Sequence, residues 1–291
     1  MATSPLLLQG RTHDLGDGFM VSRMLPVLQA RRVGPIVFYD HMGPADFPPE
    51  RGINVRPHPH IGLATVTWLL EGEVRHRDSL GSVVDITPGA VNWMTAGRGI
   101  THSERTPPSV LAQPHRLHGI QIWVALPQAD AEMAPEFHHH EAGELPHVMR
   151  DGMEVVLIAG TAWGERSPVK VFAPMFFAEA RLQTGAELPL PAEHPECGVH
   201  VIEGRVAWGD ANLAEDQFAV QLAGRAAPLR AREASRVMLL GGAPLDGDRR
   251  LWWNFVASTP GRIEQAKADW REGRFAMVPG EEDDALPLPP G

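Results

Sequence analysis

His58-Pro59-His60 and His102-Ser103-Glu104 each put two metal-binding side chains at positions i and i+2. In a β-strand alternate residues face the same side, so each triplet presents two donors on one face of a sheet. Two such strands brought together would gather three imidazoles and one carboxylate about a single point. That mixed nitrogen and oxygen set suits a redox-active divalent cation and can leave coordination positions open. A lone His-x-His arises often by chance. A second pair of donor types at the same spacing makes a metal centre the stronger reading, and the rival for His102 and Glu104 is a surface pair bonded to each other.

The elements that must position these donors read as short strands. Pro57 and Pro59 remove two backbone donors, which places the first triplet on an edge or rim strand. The loop Thr95-Ala96-Gly97-Arg98-Gly99 permits tight turning just before the second triplet. Between them, residues 61–70 alternate, with Ala64, Val66, Trp68 and Leu70 on one face and Thr65 and Thr67 on the other, until Glu71-Gly72 breaks the run. Residues 35–39, 83–86, 90–94, 100–104 and 119–126 behave similarly. Strands this short, with turn residues this frequent, predict an all-β sandwich or barrel.

Residues 127–146 are polar, contain His138-His139-His140 and read as a connecting segment; the three histidines either scavenge metal or simply face water. Strand character resumes at 155–160, 174–178, 199–203, 218–222 and 236–240. Val199 to Glu203 ends in Gly204 much as Trp68 to Glu71 ends in Gly72, which points to internal duplication. Two domains follow, 1–134 and 135–291, the second ending in a helix and a tail. Thr259 caps that helix, Pro260 suits its first position, Gly273 its stop, and Ile263, Ala266 and Trp270 lie at helical spacing. The acidic, proline-rich tail from Gly280 is expected to be mobile.

Composition narrows the function classes. The 291 residues carry a formal net charge of −10, and of 26 basic residues only Lys170 and Lys267 are lysines. No basic cluster tracks a phosphate backbone, so direct nucleic-acid binding is not expected, whereas a protein partner is compatible. No stretch of roughly 18 apolar residues is present, and the first residues lack the basic and apolar regions of a signal peptide. With the single Cys197 no intrachain disulfide forms, which fits a cytoplasmic address.

The chain resembles the pirins, members of the cupin superfamily. The resemblance rests on residues 38–44 (Phe-Tyr-Asp-His-Met-Gly-Pro), 57–62, 68–72, the block from Trp93 to Glu104, and 118–124, and is dense from about residue 18 to 126. It implies a bicupin of two face-to-face β-sandwich or barrel domains, with metal in the first only. It implies His58, His60, His102 and Glu104 as ligands, and iron(II) as the usual ion; the ligand types alone also accept manganese, nickel, copper or zinc. Gly52 falls where cupins place a glycine before His-x-His. Ala64 and Thr65 stand where a glutamate usually follows, and Glu104 substitutes for it. His200 is followed by Val201, so no metal is expected in the second half.

The resemblance further implies quercetin 2,3-dioxygenase chemistry on a small aromatic substrate with dioxygen. Glu104 would serve as catalytic base, and Val66, Trp68 and Trp93 would either wall the substrate or pack as core. His41 and His118 would orient ligands or be structural, and His76 with Asp78 would line the pocket mouth or face water. Two alternatives stand beside this: a regulator sensing metal redox state through protein partners, as in eukaryotic pirins, and a cupin enzyme for another metabolite.

Overall fold

The computed structural model describes residues 4–15 and 19–290. Strands dominate it, and the chain folds into two compact units that interleave along the sequence. One unit comprises 12–23, 39–142 and 246–291; the other comprises 1–11, 24–38 and 143–245. The helical C-terminal segment therefore belongs with the unit that carries both histidine triplets.

The strands lying wholly or mostly in that unit are β1 (Arg11–Asp14), β2 (Met20–Leu25), β3 (Ile36–Phe47), β4 (Asn54–His60), β5 (Leu63–Glu71), β6 (Val74–Asp78), β7 (Val83–Ile86), β8 (Val91–Thr95), β9 (Ile100–Arg105), β10 (His115–Ala125) and β11 (Glu136–His140). They form a seven-stranded sheet, β11-β8-β5-β10-β3-β2-β1, and a four-stranded sheet, β4-β9-β6-β7. Neither sheet closes on itself, so the unit is an open sandwich. Strand β4 lies at the edge of the small sheet, where a strand containing Pro57 and Pro59 loses no obligatory ladder bonds. Eight of the nine residues of β5 are buried, Thr65 and Thr67 among them. A strand covered on both faces can hold threonines inside only where they meet polar partners.

The other unit repeats this plan. Its large sheet includes Glu196–Glu203, Ser235–Gly242, Met175–Leu182 and Met153–Ala162, and its small sheet Arg205–Trp208 and Leu229–Ala231. Val155, Leu157, Phe176, Val199, Trp208, Leu229 and Leu239 from both sheets form one apolar cluster between them. Gly72 and Gly204, each following a strand that ends in glutamate, both take positive φ, at 88° and 81°. A side chain at either position would press on a backbone carbonyl, at 2.3 Å in both cases.

Two segments differ from their sequence reading. Residues 136–140 form strand β11, which pairs with β8 from Glu136↔Thr95 to His140↔Val91. The ladder supplies backbone partners that polar side chains do not betray in sequence. The segment after the helix, expected to be mobile, lies against the small sheet instead. Glu281 accepts bonds from Arg77 and Arg105 at 2.9 and 3.0 Å, the Leu286 N–H donates to the Pro57 carbonyl, and Val278 is wholly buried. The helix itself, α1 (Pro260–Arg271), forms as its caps predict: the Thr259 hydroxyl accepts from the Arg262 N–H, and Gly273 follows with φ 67°. Its Ile263 and Ala266 pack with Ile61, Phe255 and Ala257.

Gly62 joins this C-terminal segment to the His58-Pro59-His60 triplet. It has φ 67°, and a Cβ there would sit 2.1 Å from the Val256 carbonyl oxygen, beside the Ile61–Phe255 bridge. Gly62→Ala must both strain the backbone and push residues 254–257 away. The expected cost is about 3 kcal/mol, read as a lowered midpoint in chemical denaturation; an unchanged midpoint would show that the C-terminal segment is not seated on Gly62.

Candidate metal centre

Strands β4 and β9 run antiparallel with His58 opposite His102 and His60 opposite Ile100. Alternation then turns His58, His60 and His102 to the same side, into the space between the two sheets. One ring nitrogen from each lies within 4.8 Å of the others, and the three residues are buried. The register shifts from His102↔His58 to Glu104↔Val55, so the extra residue of the bulge lies on β4, between Val55 and His58.

The outer nitrogens of the three rings are engaged elsewhere. His58 Nδ1 donates to the Arg56 carbonyl at 2.8 Å, and His60 Nδ1 to the Asn254 carbonyl at 3.1 Å. His102 Nδ1 faces His76 Nδ1 at 3.4 Å, and His76 Nε2 faces Asp78 Oδ2 at 3.0 Å. Asp78 accepts, on its other oxygen, the N–H groups of Leu80 and Ser82 at 2.9 and 3.0 Å. A carboxylate with only donors around it fixes the proton positions. Asp78 places a hydrogen on His76 Nε2, and in the neutral imidazole the bare Nδ1 then accepts from His102 Nδ1–H. The network thus assigns one tautomer to each of His58, His60 and His102, with a lone pair on Nε2.

Those lone pairs meet. His60 Nε2 and His102 Nε2 are 3.1 Å apart, and the His58 ring centroid lies 4.4 Å from that of His102. Two facing acceptors in a buried space require a cation between them. A proton is a poor candidate, because burial holds His60 and His102 well below the usual imidazole range and neighbouring histidines push the same way. Burial also lowers His58, against the opposing pull of the Arg56 carbonyl and the Glu104 charge. Burial raises the Asp78 carboxyl, but the bonds from His76 and Ser82 outweigh it and leave the group below its ordinary value. Neutral imidazoles with converging lone pairs, each oriented through its other nitrogen, are the donor set a divalent metal takes.

Glu104 is 8% exposed and projects from the same strand face. Gln121 Nε2 on β10 donates to both of its oxygens at 2.9 Å, and the Thr67 hydroxyl on β5 donates to one at 3.2 Å. The carboxylate is therefore positioned by the large sheet, across from the histidines, and stands outside the group of three converging nitrogens.

The remaining predicted residues fall into place unevenly. Because Thr67 reaches Glu104, the site-facing set on β5 is Thr65 and Thr67, and Val66 and Trp68 lie on the opposite face. Trp93 pairs with Val66 and shares that opposite face, so none of Val66, Trp68 and Trp93 walls the site. Trp123, opposite Thr65, takes that place, edge-on to His60 at 5.0 Å. His76 and Asp78 are buried in the network behind His102, not at a pocket mouth, and Phe137 stacks on His76 at 4.3 Å. His41 and His118 contact each other, Nε2 to Nε2 at 2.7 Å. Gln121, Thr67 and Trp123 were legible only as polar or aromatic positions in alternating runs; the Asn254 carbonyl had no sequence signal.

Stability should follow pH through these buried imidazoles. Folded, they stay neutral far into acid; unfolded, they protonate near 6.5. Below that pH the unfolded chain binds more protons, so stability rises with pH across the window. Burial lowers His41 to about 4, and that shift alone corresponds to about 3 kcal/mol lost on acidification from above 6.5 to below 4. Urea midpoints of metal-free protein at stepped pH check this, and a flat profile between pH 7 and 4 contradicts it.

A family model for Pirin matches residues 18–124, and one for the Pirin C-terminal cupin domain matches residues 177–276. A pirin-like protein from Caulobacter vibrioides is 48% identical over 287 residues, covering 98% of this chain and 99% of its own. A quercetin 2,3-dioxygenase from Acinetobacter baumannii, known from its crystal structure, superposes with TM-score 0.90 at 34% identity, over 99% of this chain and 95% of its own. A bacterial pirin from Escherichia coli, crystallised in complex with nickel(II), shares the fold at 19% identity with TM-score 0.64, over 83% of this chain and 100% of its own. This chain, with its two cupin domains, belongs to the pirin family.

Proposed function

We propose that this protein is a metal-dependent dioxygenase that opens the ring of a flavonol or related enolic aromatic, in the manner of quercetin 2,3-dioxygenase. The observation that carries the reading is the convergence of three imidazole lone pairs beside one carboxylate in a buried site. The likeness to the Acinetobacter baumannii quercetin 2,3-dioxygenase over nearly the whole chain supports it. His58, His60 and His102 would hold the cation, with Glu104 as fourth donor and iron(II) as the ion of choice; manganese, nickel, copper and zinc fit the same donors. A divalent cation there supplies acidity to an enolic hydroxyl and an electron path to dioxygen.

The chain's own groups do the rest. Glu104 is the proton acceptor for the substrate hydroxyl. Gln121 and Thr67 hold its two oxygens in place, so the carboxylate need not reorganise when it takes the proton. Trp123 offers an aromatic surface beside His60 for a flat ring. The strand pairing β4-β9-β6 excludes bulk water behind the histidines, and the Asp78–His76 pair keeps the His102 lone pair aimed inward.

Purified protein loaded with iron(II) should consume quercetin and oxygen and release carbon monoxide, followed by loss of flavonol absorbance and by gas analysis. No turnover with any of the five metals would rule out the flavonol reading. His60→Ala should lose both bound metal and turnover. Glu104→Gln should lower kcat by about 10²–10⁴-fold, the usual contribution of a positioned base; retained activity would overturn that role. Asp78→Asn, which breaks the orienting chain, should weaken metal binding by about 10–100-fold in a competition titration.

A further inference from the structure

The carboxylate of Glu104 rests on one polar rung of the large sheet. Gln121 on β10 lies opposite Thr67 on β5, Thr67 opposite Asn92 on β8, and Asn92 opposite His139 on β11. Residues opposite each other in an antiparallel ladder share a face. All four side chains therefore turn into the interval between the two sheets, where Thr67 and Gln121 reach Glu104. Phe137 fixes the same direction from the far end of the rung. It shares the face of His139 on β11, and its ring stacks on His76 of the small sheet at 4.3 Å.

Two members of the rung hold the carboxylate; the other two make no hydrogen bond to it. Asn92 is 4% exposed. One end of its amide is held, with Oδ1 2.7 Å from His139 Nδ1. The other end, Nδ2, makes no hydrogen bond among the described residues. His139 is fixed in turn by Glu141, Nε2 to Oε1 at 3.3 Å. A buried amide with one end unpaired is costly unless something that binds there completes it. Packing does not demand an amide here, because the duplicate unit fills the corresponding interval with hydrocarbon.

We propose that Asn92 is a second anchor for the substrate: its amide hydrogen-bonds a second hydroxyl of the aromatic, beside the one that Glu104 deprotonates, and His139 is the positioning residue that sets the amide. The proposal rests on the dioxygenase reading and adds to it which flavonols the site takes. Neighbouring strands lie about 4.8 Å apart, and Asn92 stands one strand from Thr67, whose hydroxyl supports Glu104. The second oxygen must lie at a comparable distance from the reacting one. In a flavonol the 3-hydroxyl reacts, and the 5-hydroxyl, on the far side of the 4-keto group, has that spacing. A hydroxyl both donates and accepts, so it pairs with an amide in either orientation.

Calorimetric titration under argon tests this with two probes, 3-hydroxyflavone and 3,5-dihydroxyflavone, on the full chain loaded with zinc(II), which has no redox chemistry and allows no turnover. The readout is the ratio of the two dissociation constants, which a general loosening of the fold does not move. The unaltered protein should bind 3,5-dihydroxyflavone about tenfold more tightly, the worth of one hydrogen bond. Asn92→Leu, close in volume, and Asn92→Ala should each bring the ratio near one with bound zinc unchanged. His139→Phe should narrow the ratio while 3-hydroxyflavone still binds; an undiminished ratio removes His139 from the positioning role. A ratio near one in the unaltered protein, or a preference that survives both Asn92 variants, overturns the proposal and leaves the dioxygenase reading standing, since both flavonols still bind. Binding of neither flavonol removes that reading and the proposal with it.

Discussion

Three buried imidazole nitrogens converge on one space, with their rings oriented through their other nitrogens and burial disfavouring a proton among them. Each ring has given its hydrogen outward, to the carbonyls of Arg56 and Asn254 and to His76. Protonating any of them would put charge into a buried site that burial already disfavours. The local folding serves this arrangement. The edge position of β4 tolerates two prolines, the β4–β9 register sets His58 against His102, and the C-terminal segment returns to supply the Asn254 carbonyl.

The duplicated sandwich makes the cost of such a site visible. One unit fills the interval between its sheets with valine, leucine, phenylalanine and tryptophan. The other gives part of that interval to histidines, a glutamate, a glutamine and threonines, each of which would be costly inside without a partner. Its apolar packing is displaced to the side, into the cluster around Leu69, Val74, Ile86 and Leu117, and into the aromatic group of Trp252, Trp253, Phe255, Trp270 and Phe275 against Ile61. The C-terminal helix and its flanks thus do for the unit with the histidine triad what hydrocarbon between the sheets does for its counterpart.

The small sheet is also two-sided in charge. The same strands that hold neutral imidazoles inside carry arginines outside, and an acidic segment from the chain's end lies on them. These ion pairs are partly exposed, and each alone contributes little. Shared through Glu281 and backed by the Leu286 and Trp270 hydrogen bonds, they tie the segment along its length.

Much of this protein is local, and local features are readable. The two i, i+2 donor pairs, the prolines that demand an edge, the glycines after Glu71 and Glu203, and the Thr259–Pro260 cap are all consequences of backbone chemistry within a few residues. The all-β class and the histidine triad followed from them. What alternation in one strand cannot reveal is which of its faces meets the site. Thr65 and Thr67, not Val66 and Trp68, line it because the register of β5 with β10 brings Gln121 and Trp123 alongside. Nor can a polar run such as 136–140 announce itself as a strand, since the ladder that stabilises it belongs to β8. The interleaving of the two units, the Asn254 carbonyl behind His60 and the seating of Glu281 on Arg77 and Arg105 all join segments far apart in the chain. They depend on where distant segments return, and only the tertiary structure decides that.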